Sequence, residues 1–212
     1  MKRLFVPFVA LATVLVFASC DNTDKPTITL PEDALVIDLG DEAAALVGVT
    51  AKDKKGDLTS KISVSGLDFV GLGELVYAVS NDNGTTTEGR AVTIKPNKLF
   101  ATYKVVETDL GDGGGTDNFD VVVKESSDVT KLIVTGFMGS PKYTATFVGN
   151  GTSMDLTMEV MELSNGTDKA YITGKAKYLS NASGYSIYQM TYEVEYSDES
   201  PMDKYSATLE KR

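Results

Sequence analysis

The 212-residue chain contains no histidine, no tryptophan and a single cysteine. Histidine is the usual general base near neutral pH and the commonest metal ligand. Its absence excludes Ser-His and Cys-His catalysis and histidine-bound zinc. One cysteine can form neither an intrachain disulfide nor a thiolate cluster. No stretch repeats its apolar residues with a helical period, and the 19 glycines, ten tyrosines and many Val and Thr lean toward strands instead. Basic charge is also scarce, with 20 Lys and Arg against 30 Asp and Glu, a formal charge of −10. Losing Lys2 and Arg3 with a leader would take this from −10 to −12. So acidic a surface repels phosphate backbones, and no nucleic-acid partner is expected.

The N-terminus carries the sharpest pattern. Lys2 and Arg3 precede 15 mostly apolar residues at 4–18, interrupted only by Pro7 and Thr13. That run is short for a spanning helix, which needs about 20 residues, and suits the core of a signal peptide at 1–19. Phe17-Ala18-Ser19-Cys20 follows, and it resembles a bacterial lipobox, with Phe17 where Leu is usual. The resemblance implies cleavage before Cys20 and lipidation of its thiol and amine. Two or more acyl chains then hold the protein on a membrane, since each buried CH₂ contributes about 0.8 kcal/mol. Residues 20–25 read as a polar, lipidated tether. Asp after the lipidated Cys goes with inner-membrane retention in enteric bacteria. Acidic residues there go with surface export in Bacteroides-like lipoproteins; the tether alone does not choose between the two, and the resemblances of the two β domains favour the second.

Residues 26–96 read as one small β domain of six or seven short strands. Ile62 and Val64 alternate with Ser63 and Ser65, as on a half-buried strand, whereas apolar residues at every position of 75–79 predict a strand covered on both faces. Lys52-Asp53-Lys54-Lys55-Gly56-Asp57 and Asn81-Asp82-Asn83-Gly84 are turn signals. Turns every 8–12 residues predict a β-sandwich. The opening Pro26-x-Ile28-x-Leu30, Val49-Thr50-Ala51-Lys52-Asp53 and the closing Arg90-x-Val92-x-Ile94 resemble a bacterial immunoglobulin-like domain of surface proteins. That resemblance implies spacing or adhesion and brings no catalytic residues.

Residues 98–212 read as a second β domain, with strands expected at 99–107, 118–125, 131–135, 143–148, 154–161, 170–178, 186–196 and 204–210. Eight antiparallel strands joined in sequence predict an up-and-down barrel or a curled sheet, because closure removes exposed edges. Ile133-Val134-Thr135-Gly136-Phe137, the Tyr185-Ser186-Ile187-Tyr188 block and Met202-Asp203-Lys204-Tyr205 resemble the lipocalin-like C-terminal domains of Bacteroides-type lipoproteins of uncharacterised function. The fold class expected is therefore all-β, an immunoglobulin-like sandwich followed by a lipocalin-like barrel.

Chemistry is sparse. Acidic loops at Asp53/Asp57 and Asp109/Asp112/Asp117 lack EF-hand spacing and read as turns. Glu193 and Glu195 lie about 7 Å apart along one strand, on its polar face. No catalytic residue, metal site or cofactor is expected, and the chain reads as a non-enzyme. Nine of ten tyrosines follow residue 100, and alternation puts Tyr188, Tyr192 and Tyr196 on one face with Met190 and Val194. That face fits either core packing or the lining of a ligand site. The family resemblance implies an outer-membrane, surface-exposed lipoprotein, a binding or accessory module for glycan or nutrient uptake beside an outer-membrane transporter. The alternative is a structural spacer or assembly protein that binds only other proteins.

Overall fold

The computed structural model describes residues 24–111, 114–165, 168–198 and 200–212. The leader expected at 1–19, Cys20, the start of the expected tether and Asp112 lie outside the described residues. The fold is all-β. Seven strands precede residue 96: β1 Thr27–Thr29, β2 Leu35–Asp38, β3 Thr50–Asp53, β4 Gly56–Asp57, β5 Ser63–Ser65, β6 Gly71–Asn81 and β7 Gly84–Lys95. They form two sheets, ordered β1-β3-β4 and β2-β7-β6-β5, in which β2 runs parallel to β7 and the other neighbours are antiparallel. Ile28 and Ala51 from the smaller sheet, and Ile37, Leu75, Tyr77, Val79, Val92 and Ile94 from the larger, are buried. One helical turn, α1 Glu42–Ala45, is capped by the Asp41 carboxylate, which accepts from the Ala44 amide at 3.0 Å. The Tyr77 hydroxyl donates to the Ala45 carbonyl at 2.9 Å, fixing that turn on the core. Leu75, Tyr77 and Val79 face inward as expected, but the other face of β6 is open: Leu72 is 70% exposed and Val76 39%. The apolar run at 75–79 is therefore covered on one side only.

A 3₁₀ turn at Asn97–Leu99 leads into the barrel. Its strands are β8 Ala101–Asp109, β9 Thr116–Glu125, β10 Lys131–Thr135, β11 Thr144–Gly149, β12 Asp155–Met158, β13 Met161–Asn165, β14 Asp168–Asn181, β15 Gly184–Tyr196 and β16 Asp203–Lys211. Each pairs antiparallel with its sequence neighbours, except that β12 and β13 both lie along β14, and β16 closes onto β8. β12 and β13 are thus one strand interrupted by a bulge, and the ring has eight staves in up-and-down order. Alternation sends Tyr103, Val105, Val121, Leu132, Phe147, Leu156, Ile172, Met190, Tyr192 and Val194 inward, all buried. Lys104, Asp120, Lys175, Lys177 and Glu195 face outward and are exposed. A membrane-spanning barrel would carry an apolar band there.

Two bulges override the expected alternation. Lys177 pairs with Gln189 but Tyr178 pairs with Ile187, so Tyr188 is an extra residue on β15. One extra residue flips every side chain beyond it. The second falls at 159–160, between β12 and β13, leaving Val160 66% exposed while Leu156 and Met158 are buried.

The first half docks on one end of the barrel by backbone contact. The Gly151 amide donates to the Val70 carbonyl at 2.8 Å, and the Tyr178 hydroxyl donates to the Asp68 carbonyl at 2.8 Å while accepting from the Val70 amide at 2.9 Å. A Cβ on Gly71 would lie 2.4 Å from the Gly149 carbonyl oxygen, and one on Gly151 would lie 1.8 Å from that of Leu72. Only glycines permit this approach. The buried residues of both halves form one continuous cluster across the junction.

Candidate functional site

The sandwich covers the barrel end formed by 149–155 and 181–184. The opposite end carries 109–111, 114–116, 135–144, 165, 168, 196–198 and 200–203, and the sandwich does not reach it among the described residues. Tyrosines and carboxyl groups gather there. On β15, Tyr192 and Tyr196 point inward, and Tyr196 sits near the rim. The third tyrosine expected on that face, Tyr188, does not join them: the bulge turns it outward, 39% exposed, near the covered end.

Tyr192 is 2% exposed and belongs to the core. Its ring stacks on Tyr205 with centroids 4.8 Å apart and packs at a tilt on Phe137 at 4.9 Å. Its hydroxyl donates to the carboxylate of Glu107, the one buried charged residue among those described. Burial pushes the Glu107 pKa above the usual carboxylate range, the Tyr192 hydrogen bond pulls it down, and Asp117 and Asp109 push it up again. The same burial and the Glu107 carboxylate push the Tyr192 phenol upward. Tyr103, Phe147, Tyr178 and Phe137 fill other parts of the interior, each no more than 2% exposed.

Tyr196 is half-buried. Its hydroxyl donates to Asp203 Oδ2 at 2.6 Å, and this hydrogen bond, followed by burial, raises its pKa to about 12. The phenol therefore stays neutral and its ring is fixed. Ala170 pairs with Tyr196 on one side and with Leu163 on the other. These three inward residues form one row, and the small Ala170 leaves a gap between its larger neighbours. Tyr143 lies across the gap, its segment held by the Gly136 and Phe137 amides, which donate to the Tyr143 carbonyl at 3.2 and 3.3 Å. The result is a cleft of about 260 Å³ rimmed by Ser164, Asp168 and Lys169. Tyr143 and Asp168 were not singled out in the sequence. Tyr143 opens the strand expected at 143–148, where alternation puts it on the face of the buried Ala145 and Phe147 and so marks it as core rather than as a cleft wall.

A larger hollow, about 610 Å³, crosses the outside of the barrel over Thr157, Thr173 and Thr191, between the exposed Val160 and Leu110. Its charged pair, Lys204 and Glu193, is already joined at 3.0 Å. Glu193 is thus an ion-pair partner on the outer face, and Glu195 is exposed beside it. No group of three or more acidic or cysteine side chains is arranged to hold a metal among the described residues. In the sandwich, Asp53 accepts from the Lys55 and Gly56 amides at 2.8 and 3.1 Å and Asp57 from Thr59, as turn carboxylates do.

Among solved structures, the chain is similar to a lipoprotein from Bacteroides thetaiotaomicron, at 15% identity over 88% of this chain and 100% of that one, with a TM-score of 0.28. No family model matches the sequence, and no curated protein does.

Proposed function

We propose that this protein is a lipid-anchored envelope protein, held on the outer membrane through Cys20, whose barrel presents a binding end to the surroundings. It acts as a non-enzymatic accessory in glycan or nutrient uptake, beside an outer-membrane transporter. The sandwich serves as an immunoglobulin-like spacer. The basic start, the 15-residue apolar core and the lone Cys20 support the anchor. One geometric observation carries the rest. The described chain begins at Asp24, whose carbonyl accepts from the side-chain amides of Asn81 and Asn83 at 3.0 and 3.3 Å. That is the tip of the β6–β7 hairpin. β6 runs from there to Gly71 at the barrel, ten steps or about 34 Å at the usual rise. The described chain therefore enters at the far pole of the sandwich, the side on which an anchor at Cys20 would tether it, and the cleft with Tyr196 lies beyond the barrel, at the opposite pole.

Cys20→Ser tests the anchor. It is expected to move the protein from the membrane fraction to the soluble fraction after the leader is removed. Retention of the cleaved variant on membranes would rule out lipidation as the anchor.

The exposed Leu72, Val36 and Val76 on the open sheet face favour a second reading, a structural spacer that meets other proteins through the sandwich.

A further inference from the structure

We infer that the cleft between Tyr143 and Tyr196 binds a neutral carbohydrate, one or two sugar rings deep. This rests on the reading of the barrel's free end as a binding surface and names the ligand class.

Four features point the same way. First, the cleft has two aromatic walls, and Tyr196 is fixed by its hydrogen bond to Asp203, so a stacking ligand meets a ring that is already ordered. Second, the floor is Ala170, between Leu163 and Tyr196, which gives an apolar base for the C–H face of a sugar. Third, the volume, about 260 Å³, lies just below the roughly 300–1,000 Å³ of drug-sized sites and suits a single ring better than an extended chain. Fourth, the rim carries a carboxylate, Asp168, and an ammonium, Lys169, in adjacent positions. Lys169 also pairs with Glu162 at 2.7 Å. An anion entering the cleft meets Asp168, with Asp203 behind Tyr196, in a chain of net charge −10. A neutral polyol carries no charge and so enters the cleft without meeting a like charge, its hydroxyls able both to donate and to accept.

Tyr192 is excluded from this site. Its hydroxyl is committed to Glu107 and its ring is enclosed by Tyr205 and Phe137. The sugar-facing tyrosines are Tyr143 and Tyr196 alone.

The test is isothermal titration of the full chain in detergent with maltohexaose, mannohexaose, galactohexaose and xylohexaose, with spermine and citrate as charged probes. With no tryptophan in the chain, tyrosine fluorescence gives a second signal. At least one neutral oligosaccharide is expected to bind. Ala170→Leu, which fills the floor, and Tyr143→Ala, which removes one wall, are each expected to weaken it by about tenfold or more. Tyr196→Phe, which keeps the ring, is expected to retain most of the affinity. Should Ala170→Leu fail to fold, Tyr143→Ala decides alone, because that ring is half-exposed in a loop. Binding of none of the four sugars, binding indifferent to both cleft variants, or preference for spermine or citrate would overturn the assignment. Failure here leaves the Cys20→Ser fractionation untouched, so the cleft and the anchor fail separately.

Discussion

Tyr192 is held from three directions: stacked on Tyr205, packed on Phe137 and hydrogen-bonded to Glu107. Truncating a buried large aromatic costs about 3–5 kcal/mol through lost transfer energy and the cavity left behind. Here it also strands a buried carboxylate. Tyr192→Ala is therefore expected to lower the melting temperature by more than about 10 °C, or to prevent folding. Tyr188→Ala, at an exposed bulge on the same strand, is expected to change stability by less than about 0.5 kcal/mol. Thermal unfolding followed by circular dichroism checks both. Equal losses would mean that Tyr188 is inward and that the bulge is misplaced. Alternation alone grouped these two residues with Tyr196. Sequence period could show that β15 alternates, but one inserted residue carries no compositional mark, so the outward turn of Tyr188 was not legible. Tyr192 was legible as an aromatic among Met190 and Val194, whereas its partner Glu107 was not, being an ordinary polar residue until β8 closes against β16 and brings β15 near.

At the scale of elements, the barrel staves were readable because each presents a run of alternating apolar residues between polar turns. The eight strands expected from 99 to 210 correspond to the eight staves observed, with shifts of a few residues at their ends. Less readable was the junction. Gly71-Leu72-Gly73 and Gly149-Asn150-Gly151 look like turn glycines in sequence. Their role is close approach between two backbones 78 positions apart (149 − 71), which no local pattern encodes. Any side chain at Gly151 meets the Leu72 carbonyl, and its φ of +71° adds strain for a residue with a Cβ. Gly151→Ala is expected to separate β6 from the 149–155 loop and to break the bond from the Gly151 amide to Val70. Hydrogen exchange of the Val70 amide, which is bonded to Tyr178, is expected to quicken while the amides of β15 stay protected. Unchanged protection at Val70 would show that the docking tolerates the added methyl group.

The whole molecule places its chemistry at opposite poles. The start of the described chain at Asp24 and the turn at Asn81-Asp82-Asn83-Gly84 share one pole, and the tyrosine cleft occupies the other. The sandwich and the barrel were each legible from strand spacing and turn chemistry. Their relative placement was not, since it depends on the glycine contact and on Tyr178 reaching across to Asp68. The long axis follows from strand length. β6 contributes about 34 Å, and the 13-residue β15, tilted as barrel strands are, adds about 30 Å. The outward polarity of the barrel suits the proposed head carried away from the membrane. Energy transfer to the bilayer tests this arrangement most directly. With Cys20 acylated, a cysteine introduced by Asp82→Cys or Gly115→Cys is the one thiol open to a donor dye, and acceptor-labelled lipids report its height above the membrane. The expected result is strong transfer from position 82 and weak transfer from position 115; equal transfer from the two, or the reverse order, would contradict an anchor at the sandwich pole and a binding end facing outward.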